Sequence, residues 1–227
     1  MGFVIAVSQA KGGSSKTTTS VNLAGALIEH GYKVIVADMD KDKPDAIRWA
    51  QQGTAIKFIE PLFDDKPMDK IEHLRKQYDF VLLDTPPNYM PAAFKAIMLS
   101  DFVILPCSPS FLDQNNLTDA IAVPRMSQKP FKILGVKIKK RQRLSDQLID
   151  ELNKSGLAFK TMISSKTAVL EAAFEGKWVG DFDKNSDSHK EFKKLAEELL
   201  TFFNHQKQTD TQKVNSTAPS RAVNERI

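Results

Sequence analysis

A length of 227 residues with a 41% hydrophobic share suits one α/β domain with a sizeable core and, at most, a tail. The single Cys107 excludes an intrachain disulfide, and no apolar run reaches the length of a membrane span. The net charge of +4 is modest but uneven: Lys129, Lys132, Lys137, Lys139, Lys140, Arg141 and Arg143 follow one another with no acid among them. Such a run is either a solvated loop face or an electrostatic footprint for phosphate backbones, and without a sequence-reading motif the second reading means sequence-independent DNA contact.

Phe3-Val4-Ile5-Ala6-Val7 is a short apolar run that predicts a buried strand rather than a signal peptide. Ala10-Lys11-Gly12-Gly13-Ser14-Ser15-Lys16-Thr17-Thr18 follows, and then Val21 to Ile28, apolar at helical spacing. Strand, glycine-containing loop and helix start are the setting of a phosphate-binding loop. Glycines let the backbone approach phosphate oxygens, and successive N–H groups with the helix N-terminus make an anion nest. Lys16 would reach the β- and γ-phosphates and the Thr17 hydroxyl would ligate Mg²⁺. The plain alternative is a Ser/Gly turn capping a helix, because Ala10 and Ser15 stand where G-x-x-x-x-G-K-[ST] has glycines. A side chain at Ser15 either crowds the phosphates or demands a strained φ.

Gly31 is placed to end the first helix, and Tyr32 to Asp40 predicts a second strand closing on Asp38 and Asp40, which in a strand share a face. Asp45 to Gln52 reads as a short helix, Ile56 to Ile59 as an edge strand and Met68 to Gln77 as an amphipathic helix. Tyr78 to Pro87 gives a strand apolar on both faces and ending on Asp84, which suits a central parallel strand with an acid at the ligand-binding end. Ala92 to Met98 is helical, Phe102 to Pro106 a buried strand, and Pro109 to Asp113 opens another helix. Ile133 to Ile138 is a strand running into the basic cluster, Leu144 to Leu152 a helix and Phe159 to Ile163 a last short strand. Val169 to Gly176 leads into Gly176-Lys177-Trp178-Val179, a glycine close to an aromatic residue, and Glu191 to Phe203 is a terminal helix with Phe192, Leu195, Leu199 and Phe202 on one face. Asn204 to Ile227 is polar and reads as a disordered tail, so the expected division is a domain over 1–203 and a tail over 204–227. Alternating strands and helices imply an α/β fold with a mostly parallel twisted sheet covered by helices on both faces.

The pattern K-G-G-x-x-K-[ST]-T, with Lys11 five positions before Lys16, resembles the deviant Walker A loop of the ParA/MinD ATPases, P-loop NTPases. The resemblance implies that Lys11 crosses to the partner subunit's nucleotide, so that Lys11, Lys16 and Asp40 are catalytic, with Asp40 positioning the attacking water. It implies that Lys11, Gly12, Gly13, Ser14, Ser15, Lys16, Thr17 and Thr18 hold ATP. Mg²⁺ is then served by Thr17, Asp38 and Asp84, with Asp84 in a Walker B position and Thr85-Pro86-Pro87 as a second switch. Ser164 to Thr167 would lie near the adenine. The likeness covers about residues 3–203 and rests on three ordered motifs; within it, the expected absence of a large N-terminal DNA-reading domain points to the small ParA group, which includes ParF-like plasmid-partition and McdA-like carboxysome-positioning ATPases, and a single unduplicated domain makes the arsenite-pump ATPase a poorer match. One cysteine argues against the iron–sulfur branch of the superfamily.

The function implied is an ATPase that forms a homodimer around ATP, binds nucleoid DNA nonspecifically and distributes a cargo through a small ParB-like or McdB-like adaptor that stimulates hydrolysis. Lys137, Lys139, Lys140, Arg141 and Arg143 are the candidate DNA contacts, and the expected location is cytoplasmic and nucleoid-associated. Two other readings stand beside it: a MinD-like membrane-cycling regulator, and a nucleotide-binding scaffold with little turnover. The mixed Lys/Glu polar face of the terminal helix favours docking on the core over membrane binding.

Overall fold

The structure is a computed structural model and describes residues 1–64, 66–87, 91–109 and 121–216. Six parallel strands, β1 (Phe3–Val7), β2 (Val34–Asp38), β3 (Ile59–Pro61), β4 (Phe80–Asp84), β5 (Phe102–Cys107) and β6 (Phe131–Gly135), lie in the order β3-β2-β4-β1-β5-β6. The helices between and after them are α1 (Lys16–Glu29), α2 (Asp45–Gln51), α3 (Met68–Gln77), α4 (Pro91–Leu99), α5 (residues 121–126), α6 (Arg143–Ser155), α7 (Thr167–Phe174), α8 (Val179–Phe182) and α9 (Asp187–Ser216). The expected α/β architecture is present.

Strand alternation divides the core in two. Ile5, Val7, Leu82, Phe102 and Ile104 face one side, where they meet Leu23 and Leu27 of α1 and Phe192, Leu195, Leu199 and Phe203 of α9. Val4, Ala6, Leu83, Val103 and Leu105 face the other, against Ile71 and Leu74 of α3, Ile97 of α4 and Leu152 of α6. Both faces of the central strands are therefore dry, which is why β1 and β4 read as unbroken apolar runs. The chain leaves β1 toward β2 on one side and returns to β5 on the other, so the crevice opens at the carboxyl ends of β1 and β4, where Val7 pairs with Asp84.

Helix α1 is clamped at its middle. A Cβ on Gly25 would lie 2.3 Å from the Trp178 ring, so only glycine lets that indole pack on the helix. The Asn22 side chain accepts the Val179 N–H at 2.9 Å, and Trp49 Nε1 donates to Lys177 O at 2.9 Å. The glycine–aromatic turn thus fixes the helix that the phosphate loop starts.

Several boundaries differ from the sequence reading. The edge strand is Ile59–Pro61 rather than Ile56–Ile59, because pairing with β2 sets Val36 opposite Ile59 while Ile56 packs into the core. Strand β6 covers Phe131–Gly135, and Lys137 at φ 55 stops the extended run expected to reach Ile138. Phe159 to Ile163 is not a strand: single bridges link Ala158 to Ile133 and Ser164 to Ile138, while the Lys160 and Thr161 N–H groups donate to Glu198 instead of a ladder. Helix α9 runs on to Ser216, past Asn204 where a tail was expected to begin; 217–227 lie outside the described residues. The helix expected to open at Pro109 falls on 110–120, also outside them.

Candidate functional site

The loop between β1 and α1 carries two left-handed residues. Gly13 (φ 72) and Ser15 (φ 71) stand at alternate positions, the kind of alternation from which backbone anion nests are built. Serine in that conformation costs about 1–2 kcal/mol, the strain expected from its replacing glycine. Ser15 is also the residue that opens α1, its carbonyl accepting Thr19 N at 2.9 Å. A cavity of about 270 Å³ lies over the loop, walled by Gly12 to Thr18, Asp40, Lys43, Asp45, Asp84, Thr85, Pro87, Lys137 and Leu170.

Lys16 and Asp84 are the buried charges of this cavity, while Asp40 and Asp45 are half-buried and Lys43 and Lys137 exposed. Lys16 is 7% exposed, and its Nζ donates to Lys11 O at 3.3 Å. Burial draws the Lys16 ammonium below its usual pKa, against the opposing pull of Asp84, Asp40 and Asp45. Asp84 is pushed up to about 7 by burial and then by the charge of Asp38, with hydrogen bonds from Thr17 and Ser20 acting against the rise. The Thr17 hydroxyl donates to Asp84 Oδ2 at 2.7 Å, and Ser20 Oγ lies 3.0 Å from Oδ1. A carboxylate so situated gains from a nearby cation, and Thr17 stands beside it to offer one oxygen.

Asp38 and Asp40 do not converge on a shared point. Asp38 Oδ1 accepts the Asp40 N–H at 3.1 Å, and Oδ2 accepts those of Ala46 at 3.1 Å and Ile47 at 3.2 Å. Its carboxylate closes the N-terminus of α2, and it is not among the residues walling the cavity. Burial pushes it up to about 6 despite those bonds. Of the two, only Asp40, two residues past the strand end, lines the cavity, and its Oδ1 accepts the Lys43 N–H at 3.0 Å.

A second cavity of about 310 Å³ adjoins the first, sharing Ser15, Thr18, Lys137 and Leu170 with it. Val136, Ile163, Val169 and Phe192 supply apolar wall, and Ser164, Ser165 and Lys166 line it, the segment expected near the adenine. Ser164 is held by Glu191 of α9, which accepts its N–H at 2.8 Å and its hydroxyl at 2.5 Å. A polar, cationic chamber joined to a more apolar one has the form of a nucleotide.

The basic run is broken up by the fold. Lys129 donates to Ser100 O at 2.7 Å, Lys132 pairs with Glu198 at 3.5 Å, and Lys137 donates to Gly13 O at 2.7 Å. Lys137, grouped by sequence with the DNA contacts, therefore stands at the phosphate loop. Lys139, Lys140, Arg141 and Arg143 remain together and exposed. Sequence reasoning missed Lys43, Asp45, Lys137 and Leu170 in the cavity wall; no spacing rule signals them, since each arrives from a separate loop or helix.

A family model described as an AAA domain matches residues 2–52 and 55–133. The chain is 32% identical to the maintenance of carboxysome distribution protein A of Gloeobacter kilaueensis, over 86% of this chain and 93% of that protein. It is 24% identical to the sporulation initiation inhibitor protein Soj of Bacillus subtilis, over 88% of this chain and 98% of the relative. The chain belongs to the ParA/MinD-type ATPases. Its fold is similar to septum site-determining protein MinD of Pyrococcus horikoshii, solved with Mg-ADP (TM-score 0.74, 20% identity, 88% of this chain and 96% of that one). It is also similar to a plasmid partition protein of Borrelia burgdorferi bound to AMPPNP (TM-score 0.72, 18% identity, 88% and 99%).

This ParA-family protein is an ATPase, with ATP as nucleotide and Mg²⁺ as ion. The site fits both. Ser14 Oγ in the wall of the first cavity and Thr19 Oγ1 in that of the second are buried without a partner, and a nucleotide would supply one. Among the described residues no group of three or more acids, histidines or cysteines could hold a metal alone. Mg²⁺, which keeps several waters and binds through few carboxylates plus phosphates, suits a site that the nucleotide completes.

Proposed function

We propose that this ParA-family ATPase is a positioning machine: it dimerises around ATP, binds nucleoid DNA without sequence preference, and distributes a plasmid or carboxysome cargo through a small adaptor that stimulates hydrolysis. The observation that carries this reading is the contrast between two lysines of one loop. Lys16 is buried in the cavity of its own subunit, whereas Lys11 walls neither cavity. A loop lysine that walls neither chamber of its own subunit supports a role at another subunit's nucleotide. The 32% identity with a carboxysome-distribution protein across nearly its whole length supports the choice of cargo class.

In this reading Gly12 to Thr18 bind the triphosphate through backbone N–H groups, and Lys16 balances β/γ charge. Thr17 and Asp84 would hold Mg²⁺, which would supply charge neutralisation at the phosphates. Asp40 orients the attacking water and receives its proton. Asp38 serves indirectly, by fixing the turn that carries Asp40. The exposed group Lys139, Lys140, Arg141 and Arg143 is the DNA surface, and replacing Lys139, Lys140 and Arg141 by Ala together should weaken binding on all sequences alike and flatten its salt dependence in filter-binding titrations.

The membrane-cycling alternative loses support because the apolar face of α9 up to Phe203 is spent on the core, with Phe192, Leu195, Leu199 and Phe203 all buried. No helix among the described residues is long and apolar enough to cross a membrane. The deciding experiment is light scattering with a slowly hydrolysed ATP analogue. Lys11→Ala should bind ATP nearly as well as wild type yet stay monomeric and lose hydrolysis. A Lys11→Ala dimer as abundant as the wild-type one would overturn the sandwich.

A further inference from the structure

We infer that Lys137 is a nucleotide ligand of its own subunit, engaging the α-phosphate where the two cavities meet. The inference rests on the nucleotide-site reading above and adds to it a residue that the phosphate-loop motif does not contain. Lys137 belongs to the walls of both chambers, together with Ser15, Thr18 and Leu170. A nucleotide lying through them passes its base and ribose on one side and its β/γ-phosphates, beside Lys16, on the other. The α-phosphate is the group that falls between.

The amine is already brought to that junction. Lys137 Nζ donates to Gly13 O at 2.7 Å, bridging 124 positions of sequence to reach the loop. A neutral carbonyl is a weaker partner for an ammonium than a phosphate oxygen, because charge-assisted bonds are roughly twice as strong as neutral ones. The amine therefore gains by moving from the carbonyl to a phosphate placed beside it.

The backbone supports the assignment independently. Lys137 holds φ 55, a left-handed conformation that costs a non-glycine residue about 1–2 kcal/mol. Strain of this kind persists where surrounding structure fixes it, and clusters at ligand sites. Here Val136 N donates to Cys107 O and Ile138 N to Ile163 O, each at 3.1 Å or less, so the residue is pinned on both sides while its side chain is turned out of the sheet toward the loop.

The test is calorimetry of the full chain with Mg²⁺, titrating ATP and ADP separately into wild type and four variants. Lys137→Met and Lys137→Asn should each weaken ATP and ADP by a common factor of about ten, since both nucleotides carry the α-phosphate and a bond to a charged group is being lost. Asn tolerates the left-handed backbone, so its variant removes the charge without disturbing the turn. Lys137→Arg should stay within about threefold of wild type because the charge remains. Unchanged affinity in both neutral variants overturns the inference. So does a loss confined to ATP, which would put the amine at the γ-phosphate, and so does wild-type affinity in Lys137→Asn alone, which would make the backbone and not the amine responsible. Lys16→Ala separates this result from the larger one: if it abolishes ATP binding while the Lys137 variants are silent, only the role of Lys137 falls. If Lys16→Ala also binds normally, the nucleotide site itself has been misplaced.

Discussion

Asp38 and Asp84 end adjacent parallel strands at the same level, each paired opposite the other in the register of β2 and β4. Both close an apolar run, both are buried, and burial raises the pKa of both. Their surroundings nevertheless differ. Asp84 is met by side-chain hydroxyls from α1, Thr17 in the cavity wall and Ser20 buried behind it. Asp38 is met by three backbone N–H groups at the start of α2, which are structural donors that no ligand replaces. The two acids share a strand-end level, and the helix packed beside each decides its partners: hydroxyls of α1 for Asp84, backbone N–H groups at the start of α2 for Asp38.

The largest expected effect lies on the chemical side of that contrast. Lys16→Ala should reduce ATP binding below detection, because the fixed charge beside Asp84 and the β/γ-phosphates is gone; unchanged affinity by calorimetry would show that the loop does not bind the triphosphate.

Asp84→Asn sharpens the comparison from within it. Hydrolysis should fall by a factor on the order of 10² or more, the scale of losing one preorganised electrostatic group. The metal-free variant should meanwhile unfold no more easily than wild type, since a neutral amide is cheaper to bury than a carboxylate. A variant that turns over normally would move the ion away from Asp84.

Asp40→Ala tests the acid that the strand does not contain. It should retain ATP, lose turnover by a factor on the order of 10², and so accumulate in the ATP-bound state. Normal single-turnover hydrolysis in this variant would place the water-positioning group elsewhere.

Asp38→Asn is the smaller and opposite case. It should lower stability by about 1–3 kcal/mol, because an amide NH₂ facing backbone donors leaves buried N–H groups unpaired, while leaving ATP affinity within a few-fold. The pH dependence has a definite sign. Asp38 titrates at about 6 in the fold and near 3.8 otherwise, so its protonated form is favoured by folding. The stability that this shift contributes is fully present below the lower value and is lost as pH rises through the upper one. In metal-free protein the melting-temperature gap between wild type and Asp38→Asn should therefore narrow as pH rises through the window between those values. A gap that widens instead would mean that the folded Asp38 is held ionised.

Much of this was legible in the sequence because it is local. The limits of α3 at Met68 and Gln77 follow from the 3.6-residue pattern, and β1 and β4 follow from apolar runs that only a doubly covered strand can use. The phosphate loop needs no distant contact to be recognised: its glycines, its lysine and the helix that follows are contiguous. The turn before Trp178 was equally visible, although not its reason, which is an indole lying on Gly25.

What the tertiary structure alone decided depends on contacts far apart in the chain. The bonds that occupy Asp38 arise because the chain after β2 folds back as α2, a return that the D-x-D spacing does not reveal. The basic run looked like one surface, yet Lys129, Lys132 and Lys137 each leave it for a carbonyl or carboxylate on another element, and only Lys139 to Arg143 stay outward. The stretch from Phe159 to Ile163 has the apolar content of a strand, but Glu198 takes two of the N–H groups that a ladder would need. Sequence determines hydrophobic period, backbone freedom and the residues at a loop, because those are properties of neighbours. Which donor meets which acceptor is set by the order of strands across the sheet, and that order is not written in any single stretch of the chain.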